Sequence, residues 1–243
     1  MPIIKTSKTL APRDPYDHYP TDQRIATAAL ILLKNITPWY GKNGDGVLVC
    51  DAGAGAGNWG NAAREVFQKS IITGVELRVV ESNENYNWWI GRTNYANYKH
   101  PITEPLFDLH IGNPAYGDLF NEQEKARKKE CEKLGKDFVK GTRPDNMPFF
   151  DAEQWVRKAI GETRHGGYVV FLLRQSFLEG VARARKFWKE YPPQYVLTLA
   201  NRPSFMMNGK TDSDAYAIFY WRVGYFSHEL FQGGWLDWKK ESA

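Results

Sequence analysis

Cysteine is scarce in this chain: of 243 residues only Cys50 and Cys131 are thiols, in unrelated surroundings and without metal-ligand spacing. That argues against a disulfide framework and a zinc site, and fits a reducing cytoplasm. Long apolar runs are also missing. No stretch approaches the length of a membrane span, and no charged-then-apolar leader opens the sequence, so no membrane partner is expected. Internal repeats and low-complexity tracts are absent as well. Neither sign of charge dominates, since 32 basic residues against 28 acidic ones leave only +4. A polyanionic partner is permitted but not demanded. What the chain has in quantity is tryptophan: nine of them, many in polar surroundings, serve equally as stacking surfaces or core material.

The length suits one large α/β domain or two small ones. Residues 1–18 form a polar, proline-bearing arm, and "TDQRIATAALILLKN" then has the spacing of an amphipathic helix that Thr21 or Asp22 would cap. "VLVCDAG" is a buried-strand signal, followed by the helical "NAAREVFQKS" and a second strand, "IITGVEL". The aromatic-rich "YNWWIGRTNYANY" suggests a helix, and the strand expected between Glu76 and Leu106 has no clear position. "LFDLHIGN" is the next strand, after which a basic, polar insert runs from 121 to 147. "DAEQWVRKAIGET" is helical, "YVVFLL" is a buried strand, and "VARARKFWKE" is a basic helix that would cover the sheet. "QYVLTLA" and "AYAIFYWR" lack an intervening helix and should therefore pair antiparallel. The alternation predicts a largely parallel sheet with helices on both faces. Residues 19–223 form the domain on this reading, and 224–243 a C-terminal tail.

Between the first strand and its helix lies "DAGAGAGNWG". Glycines there permit a tight turn and close ligand approach, and the helix start offers unpaired N–H groups. Glu76 ends the next strand, about 20 residues on, where an acid can grip both hydroxyls of a ribose. Two cofactor types compete. Gly55-x-Gly57-x-x-Gly60 also fits a dinucleotide fingerprint, which would make the chain a nicotinamide-dependent dehydrogenase. Asp51, two residues before Gly53, would crowd a pyrophosphate and suits instead a cationic amino-acid group.

The stretch "DLHIGNPAYGD", Asp108 to Asp118, sets an amide, a proline and an aromatic directly after a strand. If this strand neighbours the glycine strand across the switch in strand order, Asn113 to Tyr116 face the cofactor. "DAGAGAG", Glu76 and "NPAY", in that order, resemble the class I S-adenosylmethionine-dependent methyltransferases that act on nucleobase amino groups, and more narrowly the phage-type adenine-N6 DNA methyltransferases. Supporting segments are Tyr19-Pro20-Thr21, "HGGYVVFLLRQSFLEG" and "NRPSFMMNGKTDSDAYAIFYWR", so the likeness covers most of residues 16–223.

The resemblance implies a Rossmann-like α/β methyltransferase fold with a mostly parallel seven-stranded sheet, an antiparallel last strand and helices on both faces. It implies S-adenosyl-L-methionine as cofactor, held by Thr21, Asp51, Ala52, Gly53, Gly55, Glu76 and Asn113. Asn113, Pro114 and Tyr116 become the catalytic set. Asn113 Oδ1 and the Pro114 carbonyl would accept the two amino protons of adenine, and Tyr116 would stack on the flipped base. Lys210 would reach a phosphate or the target pocket. No metal is required. The sequence departs from the family where Ala115 replaces a second proline, leaving the loop less rigid, and where Pro20-Thr21 inverts the usual Thr-Pro. The family's acidic residue on the third strand has no clear counterpart.

Residues 125–143 hold eight basic and three acidic residues, and the resemblance lets this region lie over nucleic acid, although a solvated helix face would look the same. Trp88, Trp89, Trp235 and Trp238 offer stacking faces but equally suit packing. His110 is expected to be a packed histidine. The implied partner is nucleic acid, DNA first, with a homo-oligomer or a specificity partner allowed, in a bacterial or phage-infected cell. Alternatives are an RNA adenine or protein glutamine methyltransferase, or a non-catalytic module that binds the cofactor or nucleic acid.

Overall fold

The computed structural model describes residues 20–37, 44–78, 84–144, 149–205, 214–226 and 231–239. The arm 1–18 and Lys210 lie outside the described residues. In chain order the elements are α1 (Gln23–Ile36), β1 (Leu48–Ala52), α2 (Asn58–Val66), β2 (Ile71–Val75), β3 (Trp88–Ile90), β4 (Phe107–Gly112) and α3 (Leu119–Lys133), then α4 (Ala152–Gly161), β5 (Thr163–Arg174), α5 (Val181–Arg185), α6 (Phe187–Glu190), β6 (Tyr195–Leu199), β7 (Tyr216–Arg222) and β8 (Gln232–Leu236). Among the described residues one sheet contains all eight strands, in the order β3-β2-β1-β4-β5-β7-β6-β8. β7 runs antiparallel to β5 and β6, and every other pair is parallel.

Side chains of period two divide the core into two layers. Along β5, Tyr168, Val170 and Leu172 face α1 and α2, together with Ile25, Leu30, Leu33 and Trp59. Val169, Phe171 and Leu173 face the other way, toward Trp155, Val156 and Ile160 of α4 and Phe187 of α6. Strands buried on both faces read as continuous apolar runs, which is why "YVVFLL" and "AYAIFYWR" are legible in the sequence. Helix α1 starts where expected, and Asp22 is its cap: the carboxylate accepts from the Arg24 N–H at 3.0 Å.

Three expectations need correction. The sheet has eight strands, not seven, because the expected tail supplies β8, paired in parallel with β6 from Tyr195↔Gln232 to Leu199↔Leu236. The aromatic stretch expected to be helical instead contains the short strand β3, followed by turns. Its register with β2 runs from Thr73↔Trp88 to Val75↔Ile90, and the ring of Trp89 lies where a Cβ on Gly74 would be 2.7 Å from it. The basic helix is two short pieces, α5 and α6, broken at Lys186 (φ −121°, ψ −69°) so that Phe187 reaches the core.

Candidate active site

The chain leaves β1 at Ala52 and turns through Gly53, Gly55 and Gly57, whose φ angles are 68°, 60° and 86°. All three lie in the left-handed region that favours glycine. The Gly53 and Ala54 N–H groups both donate to the Val75 carbonyl, at 2.9 and 3.0 Å, which ties the turn to the end of β2. One residue beyond Val75, Glu76 is buried, and its Oε2 accepts from the Gly55 N–H at 2.6 Å. Its Oε1 accepts from the N–H and Nε of Arg78, at 2.8 and 3.0 Å. Glu76 therefore sits against the glycine turn at the carboxyl edge of the sheet.

Asp51 lies beneath this turn, fully buried. One oxygen, Oδ2, accepts from the Gly60 N–H in the first turn of α2 (2.9 Å) and from the Tyr86 hydroxyl (2.5 Å). The other, Oδ1, is buried without a hydrogen-bond partner among the described residues. Burial pushes the carboxyl pKa up to about 7; the negative charge of Glu76 pushes the same way, against the two hydrogen bonds. Thr21 is buried beside the first turn of α2: its carbonyl accepts from Asn58 Nδ2 (2.6 Å) and its hydroxyl from Trp59 Nε1 (3.2 Å).

β4 brings the second half of the site. Val49↔Leu109 to Asp51↔Ile111 set β1 and β4 side by side at the reversal of strand order, where ligands bind in open α/β sheets. The last residue of β4, Gly112, has φ 152°, and a Cβ there would stand 2.6 Å from the Ala52 carbonyl oxygen. Only glycine lets the two strand ends approach so closely. Asn113 follows at once, half-buried, then buried Pro114 and half-buried Ala115 and Tyr116. The Tyr116 hydroxyl donates to Asn113 Oδ1 at 2.6 Å. The Arg174 guanidinium, at the carboxyl end of β5, lies 4.9 Å from the Tyr116 ring centre, and its Nε is 3.1 Å from Asp214 Oδ2.

The fold thus gathers Thr21, Asp51, Ala52, Gly53, Gly55 and Glu76 around the glycine turn and sets Asn113 to Tyr116 on the adjoining strand end. His110 faces the interior, fully buried, with Nδ1 2.7 Å from the Thr163 hydroxyl. Three neighbours have no place in the sequence reading: Tyr86, which holds Asp51; Arg78, whose Nη2 is buried without a hydrogen-bond partner among the described residues; and Arg174. Arg174 does carry a signal. It ends the strand after β4, and the rule that ligands gather at carboxyl ends applies to β5 too.

The strand order, the antiparallel β7 and the glycine turn between β1 and α2 define a Rossmann-like methyltransferase fold. No protein-family model and no curated protein matches the chain. Among solved structures it is similar to a candidate class I S-adenosylmethionine-dependent methyltransferase from Listeria monocytogenes, at 12% identity and TM-score 0.61, over 93% of this chain and 68% of that one. A chain from a type I restriction-modification system is similar at 14% identity and TM-score 0.55, over 84% of this chain. The match spans 42% of that larger chain.

Proposed function

We propose that this protein is an S-adenosylmethionine-dependent methyltransferase acting on the 6-amino group of adenine in DNA. One observation carries the reading: Gly112 packs without a side chain on the Ala52 carbonyl, so Asn113 emerges beside the glycine turn. The residues present fit the cofactor. Asp51 Oδ1 is buried without a hydrogen-bond partner among the described residues, a carboxyl group suited to meeting the ammonium of an amino acid, and Gly53, Gly55 and Gly57 add no side chain to the turn. Glu76 suits the ribose hydroxyls: a carboxylate offers about four acceptor sites, and the Gly55 N–H with the N–H and Nε of Arg78 does not fill them. When bound, the cofactor supplies a methyl group on a sulfonium.

The chain's own residues supply the acceptors. An adenine amino group is a weak nucleophile because its lone pair is delocalised into the ring. Hydrogen bonds from its protons to Asn113 Oδ1 and the Pro114 carbonyl draw the nitrogen toward tetrahedral geometry and orient its lone pair. Tyr116 holds Asn113 by its hydroxyl and offers its ring to the extruded base, while Arg174 backs that ring. The similarity to a restriction-modification chain supports DNA over the other amine substrates.

The test is transfer of labelled methyl from S-adenosylmethionine to duplex DNA, single-stranded DNA, RNA and protein compared side by side. Label in DNA is expected. Label confined to RNA or to a protein amide overturns the substrate, and no transfer to any acceptor, with the cofactor bound, turns the chain into a binding module.

A further inference from the structure

We infer that Tyr86 is a positioning residue for the cofactor: it occupies one oxygen of Asp51 and so reserves the other for the ammonium of the bound amino-acid group. This rests on the cofactor site of the function proposed above. Behind it lies a space cleared by two glycines on different elements. A Cβ on Gly60 of α2 would run into the Tyr86 hydroxyl, and one on Gly74 of β2 would stand 2.8 Å from the Tyr86 Cδ1. Gly60 is the third glycine of the dinucleotide-like pattern, and it makes room for a phenol. The Trp89 ring meets Tyr86 edge-on, with ring centres 5.0 Å apart. Arg64 of α2 grips the chain on both sides of the ring, donating from Nη2 to the Asn85 carbonyl at 3.0 Å and to Asn87 Oδ1 at 2.7 Å. The Asn87 N–H in turn donates to the Ile72 carbonyl at 2.9 Å. A ring seated between glycines and clamped on either side holds its hydroxyl in one place.

That place is Asp51 Oδ2. A carboxylate oxygen has about two acceptor sites, and the Tyr86 hydroxyl at 2.5 Å and the Gly60 N–H at 2.9 Å take both. Oδ1, buried and without a hydrogen-bond partner among the described residues, is what remains for a ligand. Burial and the neighbouring charge of Asp51 raise the pKa of the phenol, so Tyr86 stays a donor while Asp51 titrates. Against the burial that raises the Asp51 pKa, Tyr86 supplies the side-chain hydrogen bond that lowers it, and the Gly60 N–H the backbone one. The charge of Glu76, itself paired with Arg78 at 3.0 Å, pushes the Asp51 carboxyl the other way. Cys50 and His110 are in register on the opposite face of the sheet, where burial raises the thiol's pKa and lowers the imidazole's. As the ammonium arrives at Oδ1 the carboxyl proton passes to solvent, and the Tyr86 hydroxyl eases that loss by favouring the ionised form.

The experiment titrates S-adenosylhomocysteine, and methylthioadenosine, which lacks the amino-acid group, into wild type and Tyr86→Phe from pH ~6 to ~8, the range in which Asp51 titrates. Phenylalanine keeps the ring between the two glycines and removes only the hydroxyl. A hydrogen bond to a charged group corresponds to about one pKa unit. The midpoint of the rise in S-adenosylhomocysteine affinity should therefore move from about 7 to roughly 8. The variant should bind that ligand about tenfold more weakly than wild type at pH ~6 but only about twofold at pH ~8. Methylthioadenosine should bind both proteins alike. A loss equal at every pH, or shared by methylthioadenosine, makes Tyr86 a packing residue and overturns the inference. A wild type whose S-adenosylhomocysteine affinity ignores pH, or that does not bind it, overturns it too. Methyl transfer by the same wild-type protein reports on the proposed function separately: the expected binding profile with no transfer to any acceptor overturns that function and leaves Tyr86 in its role.

Discussion

A carboxylate sealed from water with one oxygen unpartnered is costly unless a cation or a donor comes to meet it. Among the described residues Asp51 is such a group, and its pKa near 7 makes the consequence measurable. The native state keeps the proton at a pH where the unfolded chain has lost it. Stability from this group is therefore fully present below the usual carboxylate pKa and is lost as pH rises through about 7. Asp51→Asn should flatten that part of the profile, as urea denaturation across this range would reveal. A cationic ligand reverses the preference by favouring the ionised form. S-adenosylhomocysteine, which keeps the ammonium, should bind wild type about tenfold more tightly at pH ~8 than at pH ~6, and Asp51→Asn with little pH dependence. Equal slopes in both proteins would remove Asp51 from the site. Asp51, Glu76 and Asn113 are legible in the sequence because each sits at a strand end beside a local motif. Tyr86 and Arg78 are not, since their roles come from hydrogen bonds to Asp51 and Glu76 that only folding creates.

The elements divide the same way. β1, β4, β5 and β7 are apolar runs bounded by turn residues, and their pattern alone declares them. β3 is three residues long and held by Trp89 over Gly74, a packing fact with no local signature. β8 has two glycines and an exposed Trp235, so nothing in its composition marks a strand. It is secured from outside: Trp238, just beyond it, is buried, donates from Nε1 to the Asn201 carbonyl at 2.8 Å and lies under Arg24 of α1 at 5.1 Å. Trp238→Ala should accordingly destabilise the whole domain by about 3 kcal/mol, a fall of roughly 6–12 °C in Tm for a domain of this size. An unchanged denaturation midpoint would return residues 224–243 to the status of a loose tail.

At the scale of the whole molecule, the sheet order places two short segments from distant parts of the sequence at one reversal point. The glycine turn and the Asn-Pro-Ala-Tyr loop each have an ordinary reading as a turn, and their meaning comes from adjacency. Trideuteromethyl-labelled S-adenosylmethionine, duplex DNA and nucleoside mass spectrometry test that adjacency most directly, with wild type and Asn113→Ala run in parallel. The wild type should yield N6-trideuteromethyl-adenine; the variant should yield none while largely keeping its binding of S-adenosylhomocysteine. Label on another base atom, or an undiminished yield from the variant, would contradict the account.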